Sequence, residues 1–390
     1  MKAIICGAGI AGLTLACCLG RDGWDVLLVE HAESLRDEGY MIDFMGSGYD
    51  VAERMDLIDR LKEIAYDIPS VDWLNGNGQV SAKLDYHRFA ALLDGRLLSL
   101  MRGELEHAIF DALPKAVDLR FGETIASIED TGTGVRATLA SGTVETADLL
   151  VGADGIHSHI RAMIFGGEAQ FSRYLGYHTA AYVYDDSDSA SQLANRFRIM
   201  ALPGRQAGFY PLRDGKVAAF FAHVADDPAL PADPLAELRR VYGNMGWMVP
   251  GSLDHAAKLP GIYYDQIAQI EMERWSKGRV TLIGDAADAV SLLAGQGASL
   301  AMGTAYVLAE ELRRKPTVEA ALADYQARLL ADVRKKQESG RKTARWIVPQ
   351  TRLDIAFRNL TLRAASMPGL SRVLAPFLVS GTESVIDRAA

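Results

Sequence analysis

Apolar positions along the chain form short, uninterrupted runs that predict buried β-strands. The first run, at residues 3–6, is followed by a glycine-rich turn at 7–12 and then by an apolar helix. A second run, at 26–29, ends in an acidic residue, and similar runs lie at 149–151 and 280–283. Apolar runs of this length, bounded by turn residues, are typical of parallel strands covered on both faces. The pattern predicts a Rossmann-type α/β domain built from separate parts of the chain.

Residues 171–270 have a different character, with aromatic, β-like segments divided by turns at 203–204 and 214–215. This pattern predicts an antiparallel sheet that forms a second domain. Residues 69–89 alternate apolar and polar positions around the Asn-Gly-Asn-Gly turn at 75–78, which indicates a hairpin.

Helices are predicted where apolar residues recur every three or four positions. One covers residues 49–64, a second opens at residues 99–102, and the chain beyond residue 315 has a helical pattern to about residue 346. A chain of 390 residues is long for one core, so we expect more than one domain. The expected parts are a discontinuous Rossmann domain (1–70, 99–170 and 272–340), an inserted antiparallel β-sheet domain (71–98 and 171–271) and a C-terminal helical segment (341–390).

The turn at residues 7–12, GAGIAG, has the spacing of a dinucleotide-binding fingerprint. Gly7 allows a sharp turn from strand to helix, Gly9 lets the backbone approach a pyrophosphate, and Gly12 lets the helix pack closely on the strand. The N-terminus of the following helix offers unpaired N–H groups to phosphate oxygens. Glu30 ends the second strand, where an acid accepts hydrogen bonds from a ribose hydroxyl. Together these features predict a bound dinucleotide.

Two further carboxylates follow predicted strands, where open α/β sheets bind their ligands. Asp154 stands in the sequence GADG, which is also compatible with a plain turn, and Asp285 stands in GDAAD. The glycine-containing turn at 295–298 precedes an apolar helix whose positive end attracts electron-rich groups. Ser99 and Arg102 stand at a predicted helix start, either as a cap and a solvated base or as part of a site.

Composition narrows the choice of partners. Hydrophobic residues make up 49% of the chain and charged residues 23%, which is ordinary for a soluble globular protein. The net charge of −9 argues against nucleic acid or an anionic membrane as partner, and no apolar run is long enough to span a bilayer. We expect no leader peptide and a cytoplasmic location. The cysteines Cys6, Cys17 and Cys18 lack ligand-like spacing, so buried thiols and no metal site are expected.

The motifs follow one another in an order that is found in one enzyme family: GAGIAG with Glu30, Met101-Arg102, GADG at 152–155 and GDAA at 284–287. The sequence resembles the group A flavoprotein monooxygenases, the family of para-hydroxybenzoate hydroxylase, and within it the tetracycline-inactivating flavin monooxygenases. The resemblance covers about residues 1–312. It implies FAD as cofactor and NAD(P)H as a transient co-substrate, since this family has no separate nicotinamide domain.

The resemblance also implies which residues bind FAD. The glycine turn would hold the pyrophosphate, Glu30 the adenosine ribose, and Arg102 and Asp285 the phosphate and ribityl region. Asp154 would help to hold FAD and would take part in NAD(P)H binding. The full predicted set is Gly7, Gly9, Ala11, Gly12, Glu30, Arg36, Asp43, Arg102, Asp154, Gly284, Asp285, Gly295, Gly297 and Ala298.

The flavin ring has its own predicted neighbours. Residues 295–298 would offer backbone N–H groups to its pyrimidine edge and stabilise the anionic reduced flavin. Arg36 and Asp43 fall where the family places groups near the isoalloxazine. The substrate would lie between the flavin and the antiparallel sheet, and Tyr210 has a structural alternative as a core tyrosine. The pocket candidates are Tyr210, Phe220, Met200, Arg198, His178 and Tyr182.

The implied reaction needs no nucleophilic side chain, and none is predicted. NAD(P)H reduces FAD, O₂ adds to give a flavin hydroperoxide, and its distal oxygen passes to the substrate. We therefore expect a monooxygenase that hydroxylates an aromatic or polycyclic, polyketide-like small molecule, as a monomer or homodimer.

Departures from the family pattern leave other reactions open. Asp288 stands where the family has histidine, Ser291-Leu292 where it has proline, and Ser299 where an asparagine is common. A proline normally shapes the wall beside the site of oxygen activation. The alternatives are an FAD-containing protein that catalyses a non-oxygenating step such as a cyclisation, and a dehydrogenase or reductase acting on an isoprenoid-like substrate.

Overall fold

The computed structural model describes residues 1–35, 39–365 and 383–386 of the chain. Its strands are β1 (Lys2–Cys6), β2 (Asp25–Glu30), β3 (Met41–Met45), β4 (Ser70–Leu74), β5 (Val80–Asp85), β6 (Leu97–Met101), β7 (Val117–Phe121), β8 (Ile125–Asp130), β9 (Val135–Leu139), β10 (Val144–Ala147), β11 (Leu149–Gly152), β12 (Ser172–Asp185), β13 (Phe197–Leu202), β14 (Arg205–Pro211), β15 (Lys216–Val224), β16 (Tyr263–Ile270), β17 (Ser276–Lys277) and β18 (Val280–Leu282). Its α-helices are α1 (Ile10–Arg21), α2 (Ser47–Arg54), α3 (Ile58–Ile64), α4 (Tyr86–Ala91), α5 (Arg102–Asp111), α6 (His159–Ile164), α7 (Ser187–Leu193), α8 (Pro234–Tyr242), α9 (Val249–Ala256), α10 (Asp285–Asp288), α11 (Gly297–Arg314), α12 (Val318–Ile347) and α13 (Arg352–Ala365).

The predicted buried strands lie side by side in one sheet. Within the described residues this sheet has six strands in the order β17-β18-β11-β1-β2-β7. Strand β1 pairs in parallel with β2 and β11, β11 pairs in parallel with β18, and β2 with β7. The carboxyl ends of these parallel strands therefore share one edge, which is where such sheets bind ligands. The prediction of a discontinuous Rossmann-type domain is confirmed.

Both faces of this sheet are buried, with helix α1 packed against β1 and β2 and strand β10 of the antiparallel β8–β10 sheet also contacting β1. Ile4 and Ile5 in β1 and Leu28 in β2 are fully buried, as expected for strands covered on two sides. Helix α11 packs against α1, α2 and α12, so the helix that follows the 295–298 turn lies beside the helix that follows the first glycine turn.

The aromatic segments form a second sheet in the order β16-β12-β15-β14-β13-β4-β5. Its neighbours are antiparallel except for β4 and β13, which run parallel. The β4–β5 hairpin predicted at residues 69–89 is present. Helices α8 and α9 cover one face of this sheet through Leu238, Tyr242, Val249 and Leu253. The other face meets the first domain, where Tyr210 of β14 packs with Met101 of β6.

Two helix predictions are wrong in detail. The helix expected at residues 49–64 is split into α2 and α3, because Asp56 adopts a positive φ of 61° that a right-handed helix does not allow. Ser99 does not begin a helix, since it lies in β6 opposite Asp43 of β3, and α5 begins at Arg102. The sheet interaction of β6 therefore takes precedence over the local helical pattern.

The C-terminal segment is only partly described. Helix α13 lies within it, whereas residues 366–382 and 387–390 lie outside the described residues. No helix in the described part of the chain combines the length and apolarity needed to cross a bilayer. The domain limits given above stay predictions.

Candidate functional site

In the glycine turn between β1 and α1, two glycines are required by protein packing and one is not. A Cβ on Gly7, whose φ is 107°, would lie 2.4 Å from the carbonyl oxygen of Ala153, and a Cβ on Gly12 would lie 1.9 Å from the carbonyl oxygen of Gly7. The fold itself therefore requires both glycines. A Cβ on Gly9 would approach nothing closer than 3.7 Å, at Oε1 of Glu106. Gly9 therefore keeps open a space at the N-terminus of α1 that protein packing does not fill, as a pyrophosphate site requires.

Glu30 holds this turn in place. Its Oε2 accepts a hydrogen bond from the backbone N–H of Ala8 at 2.7 Å, and its Oε1 accepts one from the N–H of Ala32 at 2.9 Å. A carboxylate has about four acceptor positions, so a ribose hydroxyl can still donate to it.

The N-termini of α1 and α11 both lack a side-chain cap among the described residues. The N-cap of α1 is Gly9 and that of α11 is Gln296, and neither side chain accepts a hydrogen bond from its helix. Uncapped N-termini present backbone N–H groups and a partial positive charge to a bound anion or electron-rich edge. Gly297 and Ala298 form the first turn of α11, and Gly295 precedes it with a φ of 65°.

Asp285 lies beside the second of these helix ends. Its Oδ1 is 4.0 Å from the position of a Cβ on Gly297, and its side chain is exposed although Ala286 and Ala287 are fully buried. The turn before it is tight, because Gly284 has a φ of 57° and a Cβ there would lie 2.9 Å from the Cβ of Ala11. Ala11 and Gly284 thus bring helix α1 and the Asp285 turn together, with the carboxylate directed to the opening.

Arg102 completes the group from the other side. Its Nη2 lies 2.8 Å from Oε1 of Glu106 and 3.9 Å from the position of a Cβ on Gly9. Its backbone N–H donates to the carbonyl oxygen of Tyr40 at 3.1 Å. The structure therefore brings Arg102, the glycine turn and the N-terminus of α1 together, as the sequence motifs predicted.

Other predicted cofactor residues have mainly internal contacts. Asp154 accepts hydrogen bonds from Oγ of Ser158 at 2.5 Å and from the N–H of Ile160 at 3.0 Å, so its carboxylate stabilises its own loop. Asp43 lies in β3 and accepts a hydrogen bond from the hydroxyl of Tyr86. Arg36 lies outside the described residues.

Arg161 is a residue that sequence reasoning did not assign to the site. Its guanidinium is fully buried and donates to the carbonyl oxygen of Ala286 at 3.0 Å and to that of Ile156 at 2.6 Å. It thereby joins the Asp154 loop to the Asp285 turn. Burial lowers the pKa of Arg161. The available signal in the sequence was its position seven residues after Asp154, in the first turn of α6.

His157 connects the same loop to the second sheet. Its Nδ1 lies 3.0 Å from Oε2 of Glu168, and its Nε2 lies 3.4 Å from Oδ2 of Asp265 in β16. Hydrogen bonds to Asp265 and Glu168 raise the pKa of His157 to about 9. A charged histidine therefore bridges the two parts of the molecule at neutral pH.

The six predicted pocket residues lie on two different faces of the second sheet. Alternate residues of a strand point to opposite sides. Tyr182 and Met200 belong to the core under α8 and α9. His178 lies on the same face of β12 as Tyr182, and Arg198 lies on the same face of β13 as Met200. Nδ1 of His178 lies 3.2 Å from the hydroxyl of Tyr264. These four predictions are therefore wrong, because the residues point away from the cofactor side.

Tyr210 and Phe220 point toward the first domain. Tyr210 is 2% exposed, and its hydroxyl accepts a hydrogen bond from the N–H of Met41, which favours its structural role. The ring of Phe220 lies 6.3 Å from that of Tyr40, which in turn lies 6.3 Å from that of Tyr263. The sequence analysis missed Tyr40 and Tyr263. Tyr40 directly precedes β3 and belongs to none of the motifs, so the sequence did not mark it as a site residue.

The departures from the family pattern lie directly behind the Asp285 turn. Asp288 is 1% exposed, and its Oδ2 has no hydrogen-bond partner among the described residues. Burial, with a smaller contribution from Asp285, raises the pKa of Asp288 well above its usual value. Ser291 has a φ of 106°, a region that non-glycine residues rarely adopt.

Comparison with known proteins agrees with this geometry. A family model described as an FAD binding domain matches residues 1–335. An uncharacterised protein of Mycobacterium tuberculosis is 33% identical over 80% of this chain and 84% of the relative. A flavin-dependent monooxygenase of an unknown prokaryotic organism is 29% identical over 80% of this chain and 81% of the relative.

Solved structures share the fold. The tetracycline destructase Tet(55) is 24% identical with a TM-score of 0.84, covering 100% of this chain and 98% of that one. Klebsiella pneumoniae HpxO, crystallised with FAD and uric acid, is 24% identical with a TM-score of 0.81, covering 98% and 97%. The family match includes every motif described above, so the chain belongs to the family of FAD-binding-domain flavoproteins and is an FAD-dependent monooxygenase.

Proposed function

We propose that this protein uses NAD(P)H and O₂ to hydroxylate an aromatic or polycyclic small molecule. The observation that carries the proposal is the aromatic group formed by Tyr40, Phe220 and Tyr263, which adjoins the cofactor residues. The backbone of Tyr40 accepts a hydrogen bond from Arg102, so the aromatic group lies next to the predicted FAD residues. Flat aromatic side chains favour flat aromatic ligands through stacking and edge-to-face contacts.

The residues present fit FAD. The space beside Gly9 and the uncapped N-terminus of α1 suit a pyrophosphate, and the exposed carboxylate of Asp285 suits the ribityl hydroxyls. Arg102 adds a planar guanidinium that can bond phosphate and polyol oxygens. When bound, FAD supplies two-electron reduction and the activation of O₂ for the transfer of one oxygen atom.

The chain's own contribution is positioning and the exclusion of water. The N-terminus of α11 stabilises negative charge with backbone N–H groups, which require no reorganisation during the reaction. Tyr263 is 46% exposed and Phe220 is partly buried, so these rings can cover a substrate without a polar side chain between them.

The proposed substrate class comes from the site and is supported by names of similar proteins. HpxO was crystallised with uric acid, and another similar structure is named 2-methyl-3-hydroxypyridine-5-carboxylic acid oxygenase. Both names refer to planar, electron-rich rings. We extend this class, and not those compounds, to the present chain.

The test is substrate-stimulated NAD(P)H oxidation by the FAD-loaded protein. A panel of aromatic and polycyclic phenols is added with NADH or NADPH under ¹⁸O₂, and product mass is measured. We expect stimulated oxidation and one labelled oxygen atom per product. Turnover that proceeds without NAD(P)H or O₂ would contradict the proposal and favour a non-oxygenating step such as a cyclisation.

A further inference from the structure

Lys336 of α12 lies directly behind the turn that begins α11. Its ammonium donates a hydrogen bond to Oε1 of Gln296 at 3.1 Å and another to the carbonyl oxygen of Glu383 at 3.0 Å. Gln296 is the N-cap of α11 and stands between Gly295 and Gly297. The ammonium group is therefore connected by one side chain to the turn expected at the flavin's pyrimidine edge.

The surroundings of Lys336 hold it in this place. A small cavity beside it is lined by Met45, Gly46, Ser47, Ser299 and Leu300. The neighbouring segment 383–386 is anchored by a hydrogen bond from its N–H at position 385 to Oγ of Ser47, and Val385 is 2% exposed. The carbonyl that Lys336 bonds thus belongs to a firmly packed segment.

The charge of Lys336 responds to pH. Burial lowers its pKa to about 8, while the carboxylates of Asp332 and Glu383 favour the charged form and the ammonium of Lys335 opposes it. The group is therefore mostly charged at pH 7 and mostly neutral at pH 9. Lys335, by contrast, points to solvent and pairs with Oε2 of Glu383 at 2.9 Å.

We propose that Lys336 is a positioning residue that fixes the 295–297 turn through Gln296 and places a positive charge behind it. The inference rests on the proposed FAD site. Two-electron reduction with uptake of one proton leaves a negative charge on the flavin. A fixed cation behind the turn favours that reduced form over the neutral oxidised form, because opposite charges attract more strongly where water is partly excluded.

The experiment measures the midpoint potential of bound FAD, with a reference dye, in the wild type and in the variants Lys336→Met, Lys336→Arg and Lys335→Met at pH 7 and 9. At pH 7 we expect Lys336→Met to lower the ratio of the affinities for reduced and oxidised FAD about tenfold. For a two-electron couple this corresponds to a midpoint potential lower by about 30 mV. Lys336→Arg keeps the wild-type potential at pH 7. Lys335→Met, on the same helix, also keeps it.

The pH dependence gives a second readout that does not need Lys336→Met to fold. Between pH 7 and 9 the wild-type potential falls more than that of Lys336→Arg, because the lysine loses its charge and the arginine does not. Equal midpoint potentials for Lys336→Met and Lys335→Met would overturn the inference. It would also be overturned if Lys336→Met bound oxidised and reduced FAD more weakly by the same factor. Parallel wild-type and Lys336→Arg curves would also overturn it. A wild-type protein that binds no FAD would instead contradict the proposed function.

Discussion

The three glycines of the first turn are glycines for different reasons. Side chains at Gly7 and Gly12 would collide with backbone atoms of the protein, whereas a Cβ at Gly9 would have its nearest contact at 3.7 Å and would fit without a clash. Gly9 also has a φ of −76°, which any residue can adopt. At the scale of single residues, protein packing therefore does not require glycine at this position, and we propose that a bound pyrophosphate does.

This difference gives a paired prediction. Gly9→Ala keeps the stability of the FAD-free protein but weakens FAD binding about ten- to a hundredfold, because an added methyl group in a packed contact costs about 1–3 kcal/mol. Gly12→Ala unfolds the FAD-free protein at lower temperature, because its methyl group would overlap the carbonyl oxygen of Gly7. Thermal unfolding and FAD titration check both variants. Wild-type FAD affinity in Gly9→Ala would show that the pyrophosphate does not approach this turn.

Asp285 supports a second prediction of the same kind. Its exposed carboxylate makes little contribution to folding, so Asp285→Ala should leave the unfolding temperature of the FAD-free protein almost unchanged. Loss of a hydrogen bond from a ribityl hydroxyl to a charged group should weaken FAD binding by about 1.5–3 kcal/mol. Quenching of FAD fluorescence on binding measures this affinity. A full complement of FAD with unchanged affinity in the variant would place the ribityl chain elsewhere.

Motif residues were the easiest to place from sequence, because a motif fixes both position and local geometry. The glycines, Glu30 and Arg102 lie where their motifs predicted, although their contacts with FAD stay predictions. The pocket residues were harder to predict, because strand alternation shows that Met200 and Ile199 point to opposite faces but not which face is covered by helices. Helices α8 and α9 decide this, and they lie far along the chain.

Among the elements, the loop between β11 and α6 has the most connections. It contains Asp154, which stabilises the loop itself, and it leads into α6, where Arg161 bonds the Asp285 turn. His157 adds a link to β16 in the second sheet. The loop thereby couples the cofactor side of the Rossmann domain to the substrate sheet.

This link should depend on pH. The folded-state pKa of His157 is raised to about 9, compared with about 6.5 for an unfolded histidine. The stabilising contribution of the charged histidine is therefore complete below about pH 6.5 and is lost as the pH rises through 9. The side chain is 52% exposed, so we expect about 1 kcal/mol at most. His157→Gln should lower the unfolding temperature by about 2 °C at pH 6.5 and by almost nothing at pH 10.

The matched control for this measurement is His87→Gln. His87 forms a comparable pair with Asp67, whose side chain is 84% exposed, and both lie on the surface. Solvent screening should leave this pair without a measurable contribution at either pH. A difference between His157→Gln and wild type that is the same at pH 6.5 and 10 would mean that the histidine acts through packing alone.

Elements were predictable where the local pattern and the tertiary contacts agree. The strands β1, β2, β11 and β18 are apolar over most of their length, and the sheet buries both of their faces. The segment at 97–101 was misread, because its helical spacing is overruled by pairing with β3. The break between α2 and α3 at Asp56 could not be predicted, because residues 49–64 contain no glycine or proline.

At the scale of the whole molecule, one site is assembled from distant segments. The glycine turn, Arg102, the Asp285 turn and the start of α11 come from residues 7 to 298, and they meet because parallel strands place their carboxyl ends at one edge. The order of the strands cannot be read from apolar runs alone, and the sequence analysis made no prediction of it. The aromatic group and Lys336 belong to no motif and emerged only from the folded structure.

The most direct test of this account is the amount of FAD bound by the purified protein. The protein is isolated, its chromophore is released and identified, and the FAD-free form is titrated with FAD. We expect a yellow protein with one FAD per chain, which is regained after removal. A colourless protein that does not take up added FAD would contradict the assembly of the glycine turn, Arg102, Asp285 and the N-terminus of α11 into one cofactor site.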